Sequence, residues 1–334
     1  MNILITGGAG FIGSHLAHLH LQKGDRVHVV DDLSTGRRTN IALLLGHARF
    51  TFSEADIVTW DGLDAAIHGI DRVYHLAAVV GVRRTLEDPV RVVKTNIAGT
   101  ERVMRAIEKS SCLPEVLIAS SSEAYGFNPR PTFRETDDLL LHSRDRLRWC
   151  YAVSKLTDEF IAFSYADKFG FKLTVVRLFN TIGPRQVEHY GMVVPNFVQQ
   201  AVTGRPITVY GDGSQTRSFA DVRDTVRALD LLAGNPLAAG ETVNVGADQE
   251  ISILALAELV RERAESDSEI IFIPYHEAYG EDFEDITHRR PCLDKLFQLT
   301  GFQHQWSLTA TIDDLILRAR AERGLLEAKE LGLS

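Results

Sequence analysis

The sequence predicts an α/β fold, a doubly wound parallel sheet with a smaller, interleaved C-terminal α/β domain. Two observations carry this. Short apolar runs alternate with amphipathic stretches through the first half of the chain, the pattern of buried parallel strands with helices on both faces. After about residue 180 the texture changes, and Gly183-Pro184, Gly204-Arg-Pro206 and Gly211-Asp-Gly213 punctuate shorter elements.

In order, Asn2–Thr6 reads as a strand, 11–23 as a helix and 26–30 as a second strand. Segments 49–53, 72–75, 115–120 and 173–178 continue the strands. The longest helical patterns are 87–109 and 149–169, and 254–263 is a shorter one. The expected division is residues 1–180 and 181–334, with segments of the second part returning to the first.

Composition bounds what such a chain does. Its 334 residues can bury a sizeable core, and 45% hydrophobic with 24% charged residues is ordinary globular composition. A net charge of −9 disfavours a nucleic-acid partner. An anionic small molecule remains compatible, because arginines and helix N-termini bind phosphate locally. Cys112, Cys150 and Cys292 are odd in number and widely spaced, which suggests neither a disulfide framework nor a metal site and fits a reducing cytoplasm. The start, Met1 to Ile5, reads as a strand rather than a leader, and no run of about 18 apolar residues suggests a membrane span.

The first strand opens onto Thr6-Gly7-Gly8-Ala9-Gly10-Phe11-Ile12-Gly13. Gly7 permits a tight turn, Gly10 lets backbone approach a pyrophosphate at the helix N-terminus, and Gly13 lets helix and sheet pack closely. The spacing is G-x-x-G-x-x-G, and a bare glycine turn would also fit it. Position favours a dinucleotide site of Rossmann type: the loop lies between strand and helix, and Asp31 ends the second strand. A carboxylate there accepts from ribose hydroxyls and repels a 2′-phosphate, so NAD is favoured. Asp32 can share that role, and Arg37 and Arg38 leave a preference for NADP open.

Tyr151 and Lys155 are four apart in a helical pattern and share a face. An ammonium near a phenol stabilises the phenolate, which can take a proton from a substrate hydroxyl. A surface Tyr and Lys at helical spacing fit the same pattern. Ala119-Ser120-Ser121-Ser122-Glu123-Ala124-Tyr125-Gly126 begins at a strand end, where open α/β sheets place ligands. It fits either a hydroxyl that binds substrate or a serine-rich turn, and Glu123 is unexpected in the latter.

Together the glycine loop, Asp31, the serine segment and Tyr151…Lys155 resemble the extended short-chain dehydrogenase/reductases that modify nucleotide sugars. His75-Leu-Ala-Ala78, Asn96-Ile-Ala-Gly99-Thr100, Arg177-Leu-Phe-Asn180, Gly183-Pro-Arg185, Val193-Val-Pro195, Ile207-Thr-Val-Tyr-Gly211 and Arg217-Ser-Phe-Ala-Asp221 extend the resemblance over nearly the whole chain. It implies NAD as cofactor, a UDP-linked nucleotide sugar as substrate, no metal, and a homodimer paired through the two long helices. It puts Ser121, Tyr151 and Lys155 at the oxidation step. Asp56, Ile57, Leu76, Ala77, Ala78 and Asn96 would join the glycine loop around the cofactor. Ser122, Asn180, Arg185 and Arg290 would hold the sugar and diphosphate, Val194 and Tyr210 the base, and Arg217 the phosphates or sugar.

The reaction is read from Glu123. Glutamate at that position is similar to UDP-glucuronate decarboxylases and 4,6-dehydratases, but dehydratases commonly add an aspartate where Ser122 stands. Gly213-Ser-Gln-Thr-Arg217 and the stretch from Tyr279 to Pro291 also resemble enzymes that decarboxylate UDP-glucuronate, although Cys292 replaces an aspartate frequent after that proline. The leading expectation is decarboxylation through a 4-keto sugar, with Glu123 and Arg217 managing protons and charge near C5 and C6. A UDP-sugar C4 epimerase, a 4,6-dehydratase and a catalytically silent NAD-binding protein are the alternatives.

Overall fold

A computed structural model describes residues 1–110, 112–141, 149–187, 192–279 and 288–330. Six strands appear in the order the apolar runs predict: β1 (Asn2–Thr6), β2 (Arg26–Asp31), β3 (Phe50–Glu54), β4 (Arg72–His75), β5 (Glu115–Ser121) and β6 (Leu173–Leu178). Between them lie α1 (Phe11–Gln22), α2 (Leu63–Ile67), α3 (Val82–Glu87), α4 (Pro89–Glu108) and α5 (Trp149–Phe169).

The expected single helix over 87–109 is broken at its start. Pro89 has no N–H to continue α3, and the residue before a proline is pushed out of helical geometry. Asp88 accordingly adopts φ −144 and caps the new helix, its carboxylate accepting from Arg91 N at 2.9 Å.

Beyond β6 the chain runs through β7 (Thr181–Ile182), α6 (Val193–Val202), β8 (Ile207–Tyr210), β9 (Thr216–Ser218), β10 (Ala220–Asp221) and α7 (Val222–Ala233). It then returns to the large sheet as β11 (Glu241–Val245), and continues with β12 (Glu250–Ser252), α8 (Ile253–Arg263), β13 (Ile270–Ile273), α9 (Tyr275–Tyr279), α10 (Asp294–Thr300) and α11 (Leu308–Glu330).

The large sheet has the order β11-β6-β5-β4-β1-β2-β3 and all its pairings are parallel. Ile3 of β1 faces Val27 of β2 on one side and Arg72 of β4 on the other. One face packs α1, α7 and α10 through residues such as Leu16, Val226, Leu229 and Leu296. The other packs α2, α4 and α5 through Leu63, Val103, Ile107 and Ala162. A third core joins α6, α8, α11 and β8 through Phe197, Val209, Leu256 and Ile312. Strand order reverses direction of growth between β1 and β4, so the crevice above the C-terminal ends of these strands is where a parallel sheet of this order takes a ligand.

Candidate functional site

A cavity of about 1270 Å³ opens along those strand ends, larger than the roughly 300–1,000 Å³ that one small ligand fills. At one end is the glycine loop. Gly7 has φ +72, and a Cβ there would lie 2.8 Å from Ala77 N. A Cβ on Gly13 would overlap the Gly7 carbonyl oxygen and sit 2.7 Å from Gly8 Cα. The loop is therefore a cradle that side chains would fill, and it ends on the first turn of α1, whose leading N–H groups have no partner within the helix. Asp31 stands at the end of β2 and also lines the cavity. Its carboxylate accepts from Ala9 N at 2.9 Å and Leu33 N at 2.8 Å. Burial lifts its pKa, and those backbone donors oppose the lift. Asp32, Asp56, Ile57, Leu76, Ala77 and Ala78 complete this end. A glycine cradle, a helix N-terminus and a fixed carboxylate suit a dinucleotide diphosphate with a free ribose.

At mid-cavity, β5 ends on Ser121, whose hydroxyl accepts from Glu123 N at 3.2 Å and caps the short turn that follows. Tyr151 and Lys155 come from the first turns of α5, and all four residues line the cavity. Burial pushes the Tyr151 phenol above its ordinary pKa, while the Lys155 ammonium and the Ser121 hydroxyl pull it down. Burial works against the charge on Lys155, and the Asp158 carboxylate at 2.8 Å together with Tyr151 and Glu159 more than offsets it, so the ammonium is held protonated.

Beside them, Glu123 pairs with Arg289, which also donates to the Asn180 side-chain oxygen. Asn180 donates in turn to Ser218 O at 3.0 Å. Arg217, on β9, is buried and lines the same wall. At the far end Val194 of α6 and Tyr210 at the tip of β8 face the cavity with Tyr275.

Most of the residues singled out in the sequence thus meet in one cavity, Ser122 and the loop residues Gly10, Phe11 and Ile12 included. Three do not line it. Asn96 is buried behind it: its side chain accepts from Val79 N at 2.7 Å and donates to Ser154 Oγ at 3.0 Å, so it braces the loop after β4. Arg185 sits beside His15 of α1, since the Pro184 carbonyl anchored on His15 Nε2 at 2.9 Å turns the chain that way. Arg290 points to Thr132, with Nε 3.0 Å from the hydroxyl. In the extended segment before Pro291, neighbouring side chains leave opposite sides, so Arg289 takes the cavity that the sequence reading gave to Arg290. Two adjacent arginines were the only signal, and their phase is not readable from sequence. Of the stretch from Tyr279 to Pro291, residues 280–287 lie outside the described residues.

Residues 3–246 match the model of the NAD dependent epimerase/dehydratase family. The chain belongs to that family. A UDP-N-acetyl-alpha-D-glucosaminuronate decarboxylase of Bacillus cytotoxicus is 36% identical over 300 residues, covering 90% of this chain and 91% of the relative. UDP-glucuronic acid decarboxylase 1 of Danio rerio is 35% identical over 302 residues, covering 90% of this chain and 68% of the relative. Among solved structures, the UDP-glucuronic acid 4-epimerase of Bacillus cereus, in complex with UDP-glucuronic acid and NAD, superposes with a TM-score of 0.85 at 27% identity, covering 96% of this chain and all of that one. As a family member this chain is an NAD-dependent enzyme, and the cradle, helix N-terminus and Asp31 are the residues that fit the cofactor. No helix among the described residues is long and apolar enough to cross a membrane.

Proposed function

We propose that this enzyme decarboxylates a UDP-linked uronic acid sugar by way of a transient 4-keto sugar. The observation that carries the reading is Glu123 paired with Arg289 inside the cavity that holds Tyr151, Lys155 and Ser121. NAD supplies a hydride acceptor at C4 and the hydride donor that later restores it. Tyr151, with Lys155 beside it, removes the C4 hydroxyl proton, and Ser121 holds that hydroxyl. A ketone at C4 lets the electrons of the departing carboxylate flow toward C4 as CO2 leaves C5. A lone carboxylate at Glu123 would repel the substrate carboxylate. Arg289 neutralises it, and the strain that remains is relieved in the transition state rather than in the bound substrate. Asn180 and Arg217 hold the diphosphate side, and Val194 and Tyr210 flank the base.

Decarboxylase names among relatives about one-third identical over nine-tenths of the chain support this reading. A second reading, C4 epimerisation of the same sugar, is favoured by the likeness to the UDP-glucuronic acid 4-epimerase. Incubation with UDP-glucuronate, UDP-N-acetylglucosaminuronate and UDP-glucose followed by mass analysis separates the two. Loss of the mass of CO2 from a uronic acid is the expected result. Interconversion with the C4 epimer at unchanged mass, with Glu123→Gln still active, would replace decarboxylation by epimerisation.

The same reading includes a homodimer paired through α4 and α5. Val90 on α4 is 74% exposed, and Val153 and Phe160 on α5 are 43% and 66% exposed, an apolar set that a second copy would cover. Sedimentation should give a dimer at micromolar concentration and a monomer for Phe160→Glu; a monomeric parent refutes the pairing.

A further inference from the structure

The face of α5 that carries Tyr151 and Lys155 continues to Asp158. The three stand at i, i+4 and i+7, so their side chains leave one stripe of the helix. Asp158 Oδ2 accepts from Lys155 Nζ at 2.8 Å, and the two side chains are 1% and 4% exposed. The other carboxylate oxygen is buried and has no hydrogen-bond partner among the described residues. A dry carboxylate with one oxygen unsatisfied costs free energy. The nearby helix positions Ala162 and Ala166 show that a small apolar side chain packs well against this face. Two other carboxylates beside Tyr151 and Lys155 each have an arginine. Glu123 is paired with Arg289, and Glu159 is paired with Arg177 through two hydrogen bonds of 3.0 and 2.8 Å. Asp158 alone among them is paired with the lysine of the site.

We propose that Asp158 is a positioning residue for the reaction: it holds the Lys155 ammonium in place and, as a fixed negative charge behind it, sets the pH range in which Lys155 is charged while Tyr151 gives up its proton. This rests on the reading of Tyr151 as the base. A negative charge raises the pKa of every group it faces, whichever way that group titrates. Asp158 acts in that direction on Tyr151 and on Lys155 alike. The remaining groups around the pair are Ser121 at the end of β5 and Glu123 just after it, paired with Arg289 but still raising the Tyr151 pKa, His75 at the end of β4, and Glu159 on α5 with Arg177 from β6. All of these side chains are still present when Asp158 is replaced.

Asp158→Asn keeps the shape, and its amide oxygen still accepts from Lys155, so only the charge is lost. Two measurements read the result. The first is the ultraviolet titration of Tyr151, taken as the difference between each protein and its Tyr151→Phe counterpart, which needs no substrate. The second is the pH dependence of kcat with UDP-glucuronate. Asp158→Asn should move the tyrosine titration and both limbs of the profile to lower pH by about 1 unit, the low end of what one nearby charge does. Asp158→Glu should bring them back, and Asp158→Ser gives a second neutral side chain should the amide strain the helix. Unmoved limbs with activity reduced equally at every pH would overturn the proposal and leave Asp158 a packing residue. Near-normal turnover by Tyr151→Phe would instead remove the base reading, while the substrate-free titration still decides whether Asp158 acts on Tyr151.

Discussion

Replacing Glu159 by alanine removes the counterion of Arg177, which is buried beside the reaction centre. Glu159 and Arg177 are 5% and 6% exposed, joined in parallel by bonds of 3.0 and 2.8 Å, and Ser120 donates to the same carboxylate. Arg177 also lies over the Tyr125 ring at 4.6 Å. Burial works against the Arg177 charge, and Glu159 with Tyr125 more than offsets it, so its pKa is raised. Without Glu159 the guanidinium stays charged, dry and unpaired, which costs about 3–5 kcal/mol. At about 2.1 cal/mol/K per residue, a chain of 334 residues has an unfolding entropy near 0.7 kcal/mol/K, so the loss reads as a fall in Tm of roughly 4–7 °C. Calorimetry and urea unfolding measure it. The double variant Glu159→Ala with Arg177→Met, which removes both charges, should regain at least half of the loss. A Tm within about 1 °C of the parent, outside the magnitude worked from a buried pair, or a double variant less stable than Glu159→Ala, would refute the reasoning.

Tyr151→Phe should lower kcat by about 100-fold to 10,000-fold with the circular dichroism spectrum and NAD binding intact; near-normal turnover would show that the phenol is not the base. Gly13→Ala should abolish retention of NAD through purification, because its Cβ meets only backbone, at the Gly7 carbonyl and Gly8 Cα; dinucleotide released on denaturation measures it. His75 is buried between the Thr6 and Thr100 hydroxyls, at 2.7 and 3.0 Å, and burial lowers its pKa to about 3. The unfolded chain therefore binds a proton that the fold does not. Stability is full above pH 6.5 and falls as pH drops toward 3, by about 1.4 kcal/mol per unit for this one group. Urea unfolding between pH 7 and 5 should show a shallower loss for His75→Gln than for the parent, and equal slopes would place the acid sensitivity elsewhere. His15, lowered by burial to about 4, adds to the same slope in both proteins.

Much of the sheet was legible because its strands are buried on both faces and read as apolar runs. Asn2–Thr6, Arg72–His75 and Leu173–Leu178 were bounded to the residue. The glycine loop, Asp31, Ser121 and the Tyr151/Lys155 pair were legible for a related reason: each is fixed locally, by a turn, a strand end or one helical turn, and the sheet then brings the strand ends together. The strand Glu241–Val245 was not read. It is five residues long and carries Asn244, a residue that strands disfavour. Asn244 is fully buried and tolerated there because it accepts from the Tyr125 hydroxyl at 2.8 Å and donates to Phe133 O at 3.0 Å.

That Arg289 rather than Arg290 lines the cavity is not legible in sequence, because the phase of an extended segment is set by what it docks on. The bridge of Phe133 to Pro291 fixes that phase, and its partner lies 158 positions earlier. Asp158 was overlooked for the opposite reason, since its place three residues after Lys155 was fully visible. A Lys-x-x-Asp spacing on an exposed helix face is an ordinary solvated pair worth a few tenths of a kcal/mol. Only burial turns it into a charge that reaches the phenol, and burial here comes from α4 and the end of β5 closing over the first half of α5.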